Sequence, residues 1–284
     1  MAKLVLAVSG GVDSVVLLDM LSKRPGLELV VAHFDHGIRD DSADDVEFVA
    51  GLAKKYGLLF ETKREELGKK ASEEMARTRR YEFLREVARK YDAKLVTAHH
   101  GDDVIETIAI NLSRGTGWRG LSAMDSDIIR PLTDMTKSEI MDYAKKNKLT
   151  WREDSTNNSD DYLRNRIRRR LEKLDNDSKR QLLGLWAEQK HLKSEINKEV
   201  QHLVIQGSTK DNGFISYNRY FFTHIDEASA VECLRQIVDA RLTRPQMIKV
   251  LHAIKTIKSR KVFHAGSNVL LNFTARNFKV ELLK

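Results

Sequence analysis

Cysteine is almost absent: Cys233 is the only one in 284 residues. That excludes an internal disulfide framework and any Cys-x-x-Cys metal or redox site. Long apolar runs are also missing, since nothing approaches the roughly 18–20 consecutive apolar residues that cross a bilayer. No membrane partner is expected. The opening MAKLVLAVSGG has neither a long apolar stretch nor a cleavage site of the secretory kind, so the expected location is the cytoplasm. No Gly-Lys-Ser/Thr follows a glycine loop, which excludes a Walker A site, and the dinucleotide fingerprint is absent too. There are no repeats and no low-complexity tract.

What is present fits a globular chain. Hydrophobic residues make up 41% and charged residues 32% of a length that holds one large or two medium domains. The net charge is +8, with a pI near 9.4. That balance suits a polyanionic partner such as nucleic acid, and it suits plain solubility equally well.

The first half alternates short apolar runs with helical patterns. KLVLAV (3–8), ELVVAHF (28–34), LLFETK (58–63) and AKLVTA (93–98) read as strands, with helices over 14–23, 42–56 and 72–91 between them. This order predicts an α/β doubly wound parallel sheet, with ligand at the carboxyl ends of its strands. Past about residue 130 the strand rhythm stops. TKSEIMDYAKKNKL carries a capping box from Thr136 to Glu139, and 178–206 reads as a long amphipathic helix. GSTKDNG (207–213) reads as a loop or linker. A small α+β unit follows, with helices near 226–240 and 244–257 and strands at 260–264, 268–274 and 278–283. The expected division is 1–207 for the main domain, with its helical extension starting near 131, and 208–284 for the small one.

The chemistry-bearing stretch is LAVSGGVDS, in which Ser9, Gly10, Gly11, Val12, Asp13 and Ser14 join a strand to a helix. Adjacent glycines before a helix N-terminus form an anion nest, and glycine permits both positive φ and close approach of phosphate to the backbone. Ser9 and Ser14 add hydroxyls, and Asp13 can hold magnesium or the substrate. HHGDDVIET places His99, Asp103 and Glu106 at i, i+4 and i+7, on one face if 101–113 is helical. Read from residue types alone, the same string also makes a capped helix start with an acidic first turn. DHGIRDDS offers His36 and Arg39, or a polar loop that caps the next helix. Arg77 and Arg80 share a helical face suited to phosphates, or form a solvated basic surface. In YLRNRIRRRL, Arg164 and Arg168 also share a face, suited to the edge of the active site, or the segment is a charged surface helix. Trp118 suits a stacked base or a buried core. Lys258, Arg260 and Lys261 lie in the β-like tract KSRKVFHAGSNVLLNF and suit either nucleic-acid grip or a small structural core.

SGGVDS resembles the pyrophosphate loop of the N-type ATP pyrophosphatases, or PP-loop superfamily. Together with AHFDHGIRDDS, ARTRRYEFL, AHHGDDVIETIAINLSRG, RPLTDMTKSEI, WREDSTN and YLRNRIRRRL, in that order, it resembles the tRNA(Ile)-lysidine synthetases, densely over 3–174 and weakly beyond. The resemblance implies a two-step reaction. ATP adenylates the carbon-2 oxygen of the wobble cytidine in tRNA(Ile) with a CAU anticodon. Free L-lysine then attacks carbon 2 and expels AMP. It implies ATP and Mg2+ as cofactors, with Ser9–Ser14, His36 and Arg39 on the nucleotide and Asp13 on the metal. Catalytic roles fall to Asp13, His99, Arg77 and Arg80. Asp103 and Glu106 hold the lysine, and Arg164, Arg168, Lys258, Arg260 and Lys261 meet the tRNA. A homodimer is left open, as is another PP-loop adenylating ligase or tRNA-modifying enzyme. The family's longer form has two C-terminal domains where this chain has room for about one, so how tRNA(Met) is rejected stays open.

Overall fold

The computed structural model describes residues 2–37, 42–68, 72–124, 126–152, 163–211 and 213–283. Contacts within the chain group Met1–Lys190 and His191–Lys284 into two compact units.

In the first unit, β1 (Ala2–Ala7), β2 (Leu27–Asp35), β3 (Leu59–Arg64) and β4 (Lys94–Val96) form a four-stranded sheet in the order β3-β2-β1-β4. Every pairing in it is parallel. The helices between them are α1 (Val12–Ser22), α2 (Ser42–Lys55) and α3 (Glu73–Lys90). Successive side chains of a strand point to opposite faces, and the two faces bury different sets. Leu4, Leu6, Leu29, Val31 and Val96 pack with α1, with Val49 and Leu52 of α2, and with Ile140 and Ala144 of α5 (Lys137–Lys146). Val5, Val30, Ala32, Phe34 and Leu95 pack with Phe83, Leu84 and Val87 of α3. Coverage on both faces is why β1 and β2 are apolar through their middles, whereas the edge strand β3 is half polar and has no buried residue. Each fully buried aliphatic side chain is worth about 1.5–3 kcal/mol.

Polar stitching orients the helices. Buried Asp19 of α1 accepts hydrogen bonds from Tyr56 Oη at 2.8 Å, from Tyr143 Oη at 2.8 Å and from Lys23 Nζ at 2.6 Å. These tie α1 to the end of α2 and to α5. The capping box holds: Thr136 N donates to Glu139 Oε2 at 2.7 Å, and Glu139 N donates back to Thr136 Oγ1 at 3.4 Å. Beyond β4 lie α4 (Gly101–Ser113), α6 (Leu163–Leu171) and α7 (Asn176–Gln206). Val104 and Ile105 of α4 pack with Leu183 and Trp186 of α7.

The second unit is an antiparallel sheet in the order β5-β6-β9-β8-β7, with α8 (Arg219–His224), α9 (Glu227–Ile237) and α10 (Arg244–Thr256). Its core is built on Phe222, Leu234, Met247, Ile254, Leu271 and Phe278. Val200, Leu203 and Val204 at the end of α7 belong to that core, so the unit starts earlier in the chain than the 208 expected from the sequence. The stretch read as a linker contains β5 (Ser208–Asp211), paired with β6 (Phe214–Asn218). β5 is the polar edge of its sheet; ladder hydrogen bonds hold it, so it shows no apolar alternation. The remaining strands are β7 (Val262–Gly266), β8 (Val269–Phe273) and β9 (Asn277–Leu282).

Candidate active site

Strand order sets the location. The chain runs outward from β1 to β2 and β3, then returns to the other side of β1 as β4. Between β1 and β4 the connections diverge, and in open α/β sheets ligands bind in the crevice at that point. The segments leaving those two strands are residues 8–11 and 97–100, the two motifs richest in chemistry.

At the first segment, Gly10 has φ +91° and its absent Cβ would lie 3.4 Å from the Phe48 ring, so a side chain there is strained and crowded. Gly11 is the N-cap of α1. Ser14 is buried and braces the turn: its Oγ donates to Gly11 O at 2.8 Å and accepts from Ser9 N at 3.2 Å. Gly10 O accepts from Arg152 N at 3.0 Å. The first-turn amides of α1, those of Val12 and Asp13 among them, have no acceptor within the helix. Ser14 therefore shapes the nest, and the backbone supplies most of its donors.

Asp13 does not stand alone. Lys137 Nζ, on α5, donates to its Oδ1 at 2.5 Å, and His100 Nε2 lies 3.8 Å from its Oδ2. Lys137 is fixed in turn, since its backbone N donates to Asp102 Oδ1 at 2.9 Å. Asp102 Oδ2 meets buried Lys179 Nζ at 2.5 Å. Burial works to raise the Asp102 carboxyl, but the hydrogen bonds from Lys179 and the Lys137 amide outweigh it and hold it below the ordinary value. Sequence reasoning gave Lys137 and Lys179 no role, although the capping box had located the start of α5. Nothing in the local pattern says that this helix meets the glycine loop.

At the second segment, His100 is the N-cap of α4 and Asp103 closes a capping box, its Oδ2 accepting from His100 N at 2.9 Å. Gly101 lets this helix start lie close to its neighbours: a Cβ there would come within 2.6 Å of Leu183 Cδ1 and 2.8 Å of Met135 O. His99 precedes the helix, and its Nδ1 shares a 2.8 Å hydrogen bond with Thr97 Oγ1. Its pKa is pushed down to about 4, by burial first; Asp103 opposes this, while Arg130, Arg77 and Arg80 add to it. The imidazole is neutral at pH 7. His36, at the end of β2, is also shifted down by burial and by Arg80, and its Nδ1 is buried with no hydrogen-bond partner among the described residues. Arg77 and Arg80 flank the Tyr81 ring at 5.0 and 5.7 Å. Arg39 lies outside the described residues.

Glu106 is buried, and the groups read separately as lysine-binding and tRNA-binding meet on it. Arg164 Nε pairs with its Oε1, and Arg168 Nε lies 3.1 Å from its Oε2. Asp103, the other carboxylate read as lysine-binding, is engaged at the helix cap. Trp118, in a 3-10 turn over Trp118–Leu121, is half-buried with the Arg119 guanidinium 4.6 Å from its ring. In the second unit, Lys258, Arg260 and Lys261 are exposed and precede β7, not within it as the sequence suggested.

The PP-loop domain profile matches residues 1–174, which contain the loop and both crevice segments. The chain is 42% identical over 185 residues to the tRNA(Ile)-lysidine synthase of Bacillus cereus, covering 58% of this chain and 39% of that protein. It is 39% identical over 179 residues to the tRNA(Ile)-lysidine synthase of Thermotoga maritima, covering 58% and 43%. The match thus spans about two fifths of these curated relatives. Among solved structures, the U34-tRNA thiolase of Methanococcus maripaludis with its [4Fe-4S] cluster is similar with a TM-score of 0.55 at 19% identity, covering 67% of this chain and 72% of that one. At that identity the likeness is one of fold.

Proposed function

Because this chain belongs to the PP-loop domain family, we propose that it binds ATP at Ser9–Ser14 and transfers AMP to a tRNA. More narrowly, the transfer is to the carbon-2 oxygen of the wobble cytidine in tRNA(Ile), with lysine then ligated at carbon 2. The observation that carries the narrower reading is the 42% identity over 185 residues to a tRNA(Ile)-lysidine synthase. The +8 net charge agrees with a tRNA substrate. A thiolase reading is poorly served, since a cluster needs several cysteine ligands. The single Cys233 is buried, its thiol pushed up to about 11 chiefly by burial.

The steps follow from the residues. The cytidine O2 attacks the α-phosphorus, the α–β bridging P–O bond breaks, and pyrophosphate departs with the electron pair into the amide nest. Arg77 and Arg80 stabilise the negative charge of the adenylated intermediate. Free lysine has an ε-amine pKa of about 10.4, so roughly one molecule in 2,500 is neutral at pH 7. Neutral His99 would relay the proton from the attacking nitrogen to the departing AMP phosphate or to solvent as nitrogen attacks carbon 2 and AMP leaves. Magnesium bound to nucleotide phosphates ordinarily takes one or two protein carboxylates. Asp13, partly exposed on the first turn of α1, would be such a carboxylate. Such an ion would neutralise phosphate charge.

Asp103 and Glu106 are the proposed lysine site. The Arg164 and Arg168 pairs imply an order of events: tRNA phosphates draw the guanidinium groups away, and Glu106 then becomes available to an ammonium. Mass spectrometry of tRNA(Ile) incubated with chain, ATP and lysine tests the whole reading. Gain of one lysine residue at the wobble cytidine is expected, with pyrophosphate release requiring tRNA and AMP release requiring tRNA and lysine together. Unmodified tRNA with no AMP release would overturn it.

A further inference from the structure

The glycine loop contains no lysine, whereas its place beside the leaving phosphates calls for a cation. Lys137 supplies one from a distant part of the chain. Its ammonium lies 2.5 Å from Asp13 Oδ1, on the first turn of the helix whose amides form the nest. The Lys137 side chain is 40% exposed, so it faces the crevice without being sealed in. The neighbouring cations are committed elsewhere: Lys179 to Asp102, and Arg152 to Asp45. Resting on the proposed ATP reading, we infer that Lys137, reaching across from α5, is the phosphate lysine of this loop. It turns from Asp13 to the β- and γ-phosphates when ATP binds and follows them as pyrophosphate departs.

The anchoring supports this use. Residue 137 is the first helical position of α5, fixed by the Thr136–Glu139 box and by the amide bond to Asp102. Those contacts are made by backbone and neighbours, so they survive a change of the Lys137 side chain. What the change removes is an ammonium whose recorded partner is the loop carboxylate. Asp13 then acts as the resting counter-ion that keeps this ammonium at the mouth of the nest.

Inorganic pyrophosphate, AMP and ATP are the probes, titrated calorimetrically into the full chain in magnesium-free buffer. Lys137→Met should weaken pyrophosphate about ten- to a hundredfold and leave AMP within about twofold, and Lys137→Arg should recover most of the loss. A Lys that merely neutralised Asp13 would be dispensable once Asp13 is neutral. The Asp13→Asn/Lys137→Met double variant should therefore remain weak for pyrophosphate if Lys137 touches phosphate. Recovery of the double variant to near the affinity of Asp13→Asn alone would overturn the inference, as would unchanged pyrophosphate affinity in Lys137→Met. If the unaltered chain binds neither ATP nor pyrophosphate, the ATP reading itself falls and takes this inference with it.

Discussion

His99 sits beside three arginines and is held neutral, and this couples folding to pH. Its folded pKa of about 4 lies below the ordinary 6.5. The unfolded chain therefore binds the extra proton between those values while the folded chain does not. Its contribution is fully present above pH 6.5 and is lost as pH falls toward 4. The loss is on the order of a few kcal/mol. Urea unfolding at pH 7 and pH 5 should show a smaller difference for His99→Gln than for the unaltered chain; equal differences would contradict this. Gly101 shows a second residue-scale demand, because a Cβ would meet Leu183 Cδ1 at 2.6 Å and the Met135 carbonyl at 2.8 Å. Gly101→Ala should cost about 1–3 kcal/mol by overpacking, read as a lower denaturant midpoint at unchanged m. The loop glycines were legible in sequence because their demands are local: a positive φ at Gly10 and a helix cap at Gly11. Lys137 was not, because its partner is Asp13, far away in the chain, and only the packing of α1 against α5 brings them together.

Between elements, the contact of α4 with α6 is unusual in joining a buried carboxylate to two arginines. An ion pair of this kind holds its site closed to other cations until something competes for the arginines. With Arg164→Gln/Arg168→Gln, Glu106 should accept free lysine without tRNA, raising lysine affinity about tenfold while tRNA affinity falls. Calorimetry with lysine alone checks this, and unchanged lysine affinity would mean that Glu106 is not the lysine carboxylate. Sequence periodicity placed α4 and an arginine-rich helix correctly and set Arg164 and Arg168 on one face. It had no means of pairing that face with Glu106, since the two motifs were assigned to different substrates. The short elements β5, β6 and α8 escaped for another reason. β5 is four residues of Ser, Thr, Lys and Asp, and its stability comes from backbone pairing with β6.

Over the whole molecule, charge is the property that bears on a tRNA partner. Lys258, Arg260 and Lys261 are exposed at the approach to β7. If all three meet phosphates, each should contribute about 0.7–0.9 to the slope of log affinity against log salt. The triple change to Gln should therefore lower that slope by about 2–3 while ATP binding stays unchanged, measured by filter binding across a salt series. A slope that does not move would leave these residues to structure alone. Both fold classes were legible in the sequence, since strands buried on both faces leave short continuous apolar runs and amphipathic helices leave a 3.6-residue period. The start of the second unit was less so. Val200, Leu203 and Val204 continue the apolar pattern of α7 without a break, and a pattern does not say which core it enters.

The pairing of β1 with β4 has a kinetic consequence. Leu4 lies beside Lys94, whereas β1 and β2 meet across the much shorter span from Leu4 to Leu29. Closing a loop of some ninety residues costs about 4 kcal/mol of chain entropy before any contact offsets it. The crevice, which exists only between these two strands, is therefore among the last features to form, and high contact order makes that step slow. Pulse-labelled hydrogen exchange during refolding should protect the β2–β3 amides before those of Leu95 and Val96, and simultaneous protection would argue against this order. A chain caught partway would hold a glycine turn with no opposing wall.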